Sequence, residues 1–416
     1  MKDGLHFCSC DGRRIGDTMP YYHQGIYHLF YLLNGSGNVN VNIEHAWTED
    51  LVHWHHAPTA VCREEGPEWM LDTGTIFTGS FLTENGLHHL WYTSWNPQNP
   101  NGREFIRHAV SEDLFSWRKL EDEVIAPLPH RYSSCQYRDF RDPCVIPDGK
   151  GGYIMFILAN PPNVQKKNDF GTDGWLFGHL HSTDLVHWEQ HEPVSAPFGD
   201  ECPDYHCING RHVLLSARKA LQGDSQTGPY REIESGMDGP LTFAGKTVWD
   251  GKRHVWFGAW LGSALLVPRE VFLQDDRIGM RMLPEIRRRF DQPVLEGESK
   301  ERVVILPADT VCLLEVTISS SSLKKIYLKP ASEKTAEIDA KHCRIRWGED
   351  VNKPLHQAGE KMELQLIISQ SFAELFIDRQ TAFSFPLKNG LNSEWILHAP
   401  GAEMKWTLKT LNTVKG

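Results

Sequence analysis

The sequence lacks any apolar run of the roughly 18 residues that a membrane-spanning helix needs. Its opening segment, Met1 to Asp17, has no apolar stretch of signal-peptide length. The nine cysteines are scattered and odd in number. Their closest pairs, Cys8/Cys10 and Cys202/Cys207, have no second pair at zinc-site spacing. A reduced, cytoplasmic protein with free thiols, no metal and no cofactor is the simplest expectation. Positive charge is also short. A net charge of -11 argues against nucleic acid or an anionic membrane as partner. Helical periodicity is scarce before residue 290.

What is present is a repeat. The 416 residues, 40% of them hydrophobic, suffice for two or three domains with ordinary cores. Thr48-Glu49-Asp50-Leu51-Val52-His53-Trp54 returns as Ser111-Glu112-Asp113-Leu114-Phe115-Ser116-Trp117 and as Ser182-Thr183-Asp184-Leu185-Val186-His187-Trp188. The Trp-to-Trp spacings are 63 and 71 residues, the size of a supersecondary unit that must stack to bury its faces. A second series starts at Gly25, Gly86, Gly152, Gly210 and Gly251, each glycine leading into a short apolar strand. Five hairpins with further strand material predict an all-β fold opening with a five-bladed β-propeller, residues 1–288. Arg287-Arg288-Arg289 and Asp291-Gln292-Pro293 predict a polar linker over 289–300. Alternating segments such as Met362 to Ile368 and Ala373 to Asp378 predict a C-terminal β-sandwich over 301–416.

Three acidic motifs carry the chemistry: Gly16-Asp17-Thr18, Arg141-Asp142-Pro143 and Glu201-Cys202-Pro203. They fall at or near the start of the inner strands of blades one, three and four, so they should meet at one mouth of the central channel. Glycosidic bond cleavage needs two carboxyl groups in different protonation states. One is ionised, to attack the anomeric carbon or to activate water. The other holds a proton for the leaving oxygen. A third can bind hydroxyls, and Arg141 would keep Asp142 ionised. A single Asp-Pro or Gly-Asp is ordinarily a turn; three at matching repeat positions argue for more. The Asp and Trp of the Asp-Leu-x-x-Trp repeats are expected to cap turns and pack between blades. His53, His55 and His56 are expected as surface or packing residues. Trp47 and Trp69 could stack on sugar, although most such rings only pack.

At this point the chain resembles glycoside hydrolase family 32, the β-fructofuranosidase, invertase and levanase group. Gly25 to Tyr31 is similar to the hairpin after the family's first catalytic Asp. Asp50-Leu51-Val52-His53-Trp54, Phe77-Thr78-Gly79-Ser80, Arg141-Asp142-Pro143, Glu201-Cys202 and Phe243-Ala244-Gly245-Lys246-Thr247-Val248 resemble its later motifs in order. Val267 to Glu270 and Ala373 to Asp378 extend the likeness through nearly the whole chain. The resemblance implies a propeller followed by a sandwich and retaining double displacement without cofactor. It implies Asp17 as nucleophile, Glu201 as general acid/base and Asp142 as transition-state stabiliser, with Cys202 setting the environment of Glu201. Phe77, Thr78, Ser80, Arg141, Lys246 and Trp69 are the expected substrate contacts.

The chain departs from the family around Asp17. Arg14-Ile15-Gly16 and Thr18-Met19-Pro20 replace the usual flanks, Leu32 stands for a Gln, and Ile43-Glu44 for Trp-Gly. Lys246 replaces a Gln. Missing polar partners predict a changed substrate, and Lys246 with Arg14 point to an anionic sugar. Two other readings stay open on the residues: an inverting, family-43-like arabinosidase or xylosidase, and a propeller that binds sugar without cleaving it.

Overall fold

The computed structural model of the protein describes residues 3–34, 40–67, 70–96, 98–99, 104–132, 139–162, 174–217, 219–236, 243–259, 262–307, 309–321, 323–330, 334–348, 352–354 and 360–412. Short runs rich in β-branched and aromatic residues alternate with tight turns from Ile15 to Met282, and successive sets of four fold into antiparallel blades. Blade one comprises Ile15–His23, Ile26–Asn34, Asn40–Thr48 and His55–His56, with Val61–Cys62 added to its third strand. Blade two is Thr75–Glu84, Leu87–Trp95, Glu104–Ser111 and Arg118–Ile125. Blade three is Phe140–Pro147, Tyr153–Ala159, Leu176–Ser182 and Glu189–His191. Blade four is Asp204–Ile208, Arg211–Leu215, Ala220–Gly223 and Tyr230–Ser235. Blade five is Phe243–Trp249, His254–Ala259, Arg269–Gln274 and Arg277–Met282. The propeller therefore has its five blades. The hairpin glycines Gly25, Gly86, Gly210 and Gly251 lie at φ between 75° and 90°, where a side chain is strained.

The repeated Asp-Leu-x-x-Trp segment is a turn that closes the seams. Asp50, Asp113 and Asp184 each take two backbone N–H groups on one carboxylate oxygen, at 2.7–2.9 Å. Leu51, Leu114 and Leu185 follow at φ 65°, 66° and 68° and are buried. Trp117 and Trp188 donate their indole N–H to the carbonyls of Leu114 and Leu185. Each Trp meets the preceding blade: Trp117 packs on Phe30, Trp188 on Trp91 and Trp54 on Phe257. Around the channel, inner-strand N–H groups donate to side chains of the preceding blade. Gly79 donates to Met19, Val145 to Ser80, Tyr205 to Cys144 and Thr247 to Asp204.

Blades four and five share one eight-stranded sheet, because Tyr230–Ser235 pairs in parallel with Arg277–Met282. The ring closes through the N-terminal segment, where Ser9 and Ile15 donate N–H groups to the carbonyls of Ser263 and Gly262.

The C-terminal part is a two-layer sandwich. One layer holds Cys312–Ser319, Lys361–Ile368, Phe372–Ile377 and Thr381–Pro386, and the other holds Lys325–Pro330, Ala336–Asp339, Arg344–Trp347 and Asn352–Pro354. Val316 and Leu366 meet Ile326 and Ile338 in a shared core. The long strand Trp395–Thr410 pairs with one layer through its end and the other through its start. The expected linker at 289–300 is corrected here. From Gln292 these residues belong to the strand Gln292–Ile305, which pairs with Trp395–Thr410. Its charges mark an edge strand rather than a loop, since edges favour charge for solubility. We propose two units, 1–288 and 292–416. Among the contacts between them, Glu374 of the sandwich is wholly buried against Arg269 and Ser384 lies beside it. His6 donates to the same carboxylate at 2.9 Å and pairs with Asp3 at 2.6 Å.

Candidate active site

Bulges push selected residues out of the inner strands. Pairing slips between Ile15 and Thr18 in blade one, Phe77 and Gly79 in blade two, Arg141 and Cys144 in blade three, and Phe243 and Lys246 in blade five. In blade four the strand Asp204–Ile208 begins directly after Cys202-Pro203. A bulge frees its residue from the ladder and re-aims the side chain. The residues so placed are Asp17, Thr78, Asp142 and Ala244, with Cys202 beside them. Asp142, Cys202 and Ala244 sit at φ 59°, 54° and 51°. Non-glycine residues seldom adopt this region, and such strain collects at functional sites.

The side chains meet at the channel. The Thr78 hydroxyl donates to Asp17 Oδ2. Cys202 Sγ lies 3.6 Å from Asp17 Oδ2 and 3.7 Å from both Asp142 Oδ2 and Thr78 Oγ1. The Cys202 N–H donates to Asp142 Oδ2 at 3.0 Å, and the Asp142 N–H donates to Thr93 Oγ1 at 2.9 Å. Glu201, one residue before Cys202, accepts from Arg141 Nη2 at 2.8 Å. The other guanidinium nitrogen, Nη1, donates to Glu104 at 3.2 Å and to Asp139. Trp175 lies 5.5 Å from the guanidinium and donates its indole N–H to Asp139 at 2.6 Å. Three carboxylates from blades one, three and four thus share one small volume, with one cation among them.

Electrostatics follow from that crowding. Burial and the charge of Asp142 push Asp17 up to about 7, against the hydrogen bond from Thr78. Burial also raises Asp142, more than the Arg141 guanidinium lowers it. Glu104 is pushed up to about 7 by burial, against Arg141. Burial works against the charge of Arg141, yet Glu104, Asp139, Asp142 and Glu201 lock it as a cation. Burial holds the Cys202 thiol well up, so it stays protonated and can donate.

The structure brings Asp17, Asp142, Glu201, Thr78 and Arg141 together. Phe77 is half-buried next to Thr78, its ring 6.0 Å from Trp95. Two expected substrate contacts are placed differently. The Ser80 hydroxyl accepts the Val145 N–H at 2.9 Å and so fastens blade three to blade two. Lys246 is 3% exposed, and its ammonium donates to the Gly79 carbonyl at 3.1 Å. Gly79 directly follows Thr78, so the ammonium is held at the carbonyl next to the residue that donates to Asp17. Arg14 is exposed. Trp69 lies outside the described residues. His53 pairs with the turn carboxylate Asp50 at the surface. Sequence reading missed Glu104, Asp139 and Thr93. Asp139 stands two residues before Arg141 and could have been found; Glu104 and Thr93 carry no local signal. Among the described residues, no three His, Cys, Asp or Glu are grouped to hold a metal ion.

Comparison with known proteins agrees with this geometry. The sequence model described as "Glycosyl hydrolases family 32 N-terminal domain" matches residues 17–170. The chain is 24% identical to sucrose-6-phosphate hydrolase of Bacillus subtilis over 86% of its own length and 82% of that protein. It is 31% identical to an acid β-fructofuranosidase of Solanum lycopersicum, over 77% of its own length and 53% of that protein. The fold matches sucrose-6-phosphate hydrolase of Lactobacillus gasseri with a TM-score of 0.76 at 16% identity, covering 98% and 93% of the two chains. It matches the β-fructofuranosidase BmSUC1 of Bombyx mori with a TM-score of 0.73 at 19% identity, covering 98% and 93%. With its motifs in order, its propeller and sandwich in place and these relatives, the chain is similar to glycoside hydrolase family 32 over nearly its whole length, and its residues 17–170 match that family's N-terminal domain.

Proposed function

We propose that the protein hydrolyses a fructosyl-type glycosidic bond with retention of configuration. Asp17 attacks the anomeric carbon as the carbon–oxygen bond to the leaving group breaks, and the leaving oxygen takes a proton from Glu201. The fructosyl ester on Asp17 is then opened by water, which gives its proton to Glu201. Asp142 binds ring hydroxyls and favours the oxocarbenium-like transition state. The observation that carries this reading is the meeting of Asp17, Asp142 and Glu201 around Cys202 and Arg141. In the free protein Arg141 donates to Glu201, while burial and the charge of Asp142 make Asp17 hard to ionise. The carboxyls titrate as a group, and the state that reacts is the one with the proton on Glu201. Among the described residues, eight cysteines are free thiols, which accords with a cytoplasmic location.

Asp17→Asn should abolish turnover of sucrose, sucrose 6-phosphate and fructo-oligosaccharides while leaving the melting temperature near the native value. Normal activity in that variant would sink the assignment. Glu201→Gln should lose hydrolysis of poor leaving groups most. NMR of the first-formed product should show retained anomeric configuration; inversion would exclude the double displacement.

A further inference from the structure

The displacement chemistry above makes no use of Lys246. This side chain stands on blade five directly after the Ala244-Gly245 bulge and is almost wholly buried. Its ammonium reaches the Gly79 carbonyl on blade two. Blade one lies between blades five and two around the ring, so this bond links two blades that are not neighbours. An ammonium has three donors and is costly to bury beside a single carbonyl unless anions lie close. The groups within reach of its charge include the carboxyl of Asp142 and the thiols of Cys144 and Cys202, and Thr78, the neighbour of Gly79, donates to Asp17. Arg141 is taken up by Glu104, Asp139 and Glu201.

We infer that Lys246 is a positioning residue, the buried counter-cation that holds the carboxylate cluster together with Arg141. The inference rests on reading Asp17, Asp142 and Glu201 as the reacting groups. It assigns Lys246 a task that needs its charge and no contact with substrate. The charge of Lys246 favours the anionic form of Asp142, Cys144 and Cys202, which is the sign this requires. A cation near Asp142 keeps that carboxylate able to accept sugar hydroxyls. Asp142 in turn is the charge that opposes ionisation of Asp17.

Two variants separate charge from contact. Lys246→Gln keeps a donor for the Gly79 carbonyl and removes the charge; Lys246→Arg keeps the charge. With Lys246→Gln, the acid limb of kcat/KM against pH should move up by about one unit and kcat should fall about tenfold, with KM little changed. The Asp142 carboxyl, followed by carbon-13 NMR in the free protein, should titrate at higher pH. Lys246→Arg should keep the native limb. An unmoved limb and an unmoved Asp142 titration in Lys246→Gln would reduce Lys246 to a strut. A change confined to KM would make it a substrate ligand instead. Should Lys246→Gln fail to fold, Lys246→Arg decides: a native limb supports the inference, and a limb moved upward overturns it. If the native protein cleaves no fructosyl substrate, the proposed function fails on its own, and the Asp142 titration still tests the role of Lys246.

Discussion

A carboxyl group needs a reason to keep its proton near neutral pH, and Asp17 has burial and Asp142 as two. In the nucleophile's role proposed for it, Asp17 must be ionised, and a raised value makes that form scarce in acid. The acid limb of kcat/KM should therefore lie near pH 7, well above an ordinary aspartate, with activity lost as pH falls. A profile flat down to pH 4 would contradict this. Cys202 adds to the relief given by Thr78 and Arg141, through its N–H to Asp142 and its thiol near both carboxyls. Cys202→Ala should lower kcat/KM about tenfold and move the acid limb higher. It should cost stability no more than about 1–2 kcal/mol, because only one small group is lost. Ala244 shows that alanine can take nearly the same backbone angle. At this scale the sequence pointed to the proposed reacting groups but not to their surroundings. Asp142 and Glu201 stand in readable motifs. Glu104 reaches Arg141 only because blade two returns beside blade three. Lys246 was legible as a charge and not as a depth, since depth depends on a bulge that no residue type announces.

Elements were legible wherever their turns demand a particular residue. The hairpin glycines and the Asp-Leu-x-x-Trp turns each follow from backbone angles that few residues accept, so they could be counted in the chain. The inner-strand bulges could not, because either residue of a slipped pair still looks like strand. The strand Gln292–Ile305 was misread for another reason: as an edge it is mostly exposed and carries Glu296, Glu298, Lys300 and Arg302, the composition of a loop. The turns also make a stability prediction. Leu114 is buried at 2% exposure beneath a seam that Trp117 closes on Phe30. Leu114→Ala should cost about 2–5 kcal/mol in denaturant unfolding, with the kinetics of the folded fraction unchanged. A loss below about 1 kcal/mol would mean that the seam is not load-sharing between blades one and two.

For the whole molecule, the sandwich is tied to the propeller by charge buried out of reach of water. Glu374 is held by Arg269 and His6, and all three side chains are fully covered. Burial opposes the charge of His6, but Asp3 and Glu374 outweigh it and push it up to about 9. Its folded value thus lies above the ordinary 6.5, so its contribution to stability is complete below about pH 6.5 and is lost as pH rises through 9. The melting temperature should fall between pH 7 and pH 10, and His6→Gln should flatten that slope while lowering the whole curve. Glu374→Gln should be worse, about 3–5 kcal/mol, since it leaves two cations buried without their anion. The sheet shared by blades four and five, and the N-terminal segment bonded to blade five, have a consequence for the site. They join blades four, five and one into a continuous arc of backbone, whereas no described strand of blade two or three pairs with another blade. Glu201 and Asp17 stand at the two ends of that arc, and Asp142 stands outside it. The two residues proposed to exchange the proton and the bond thereby stand on one continuous run of bonded backbone.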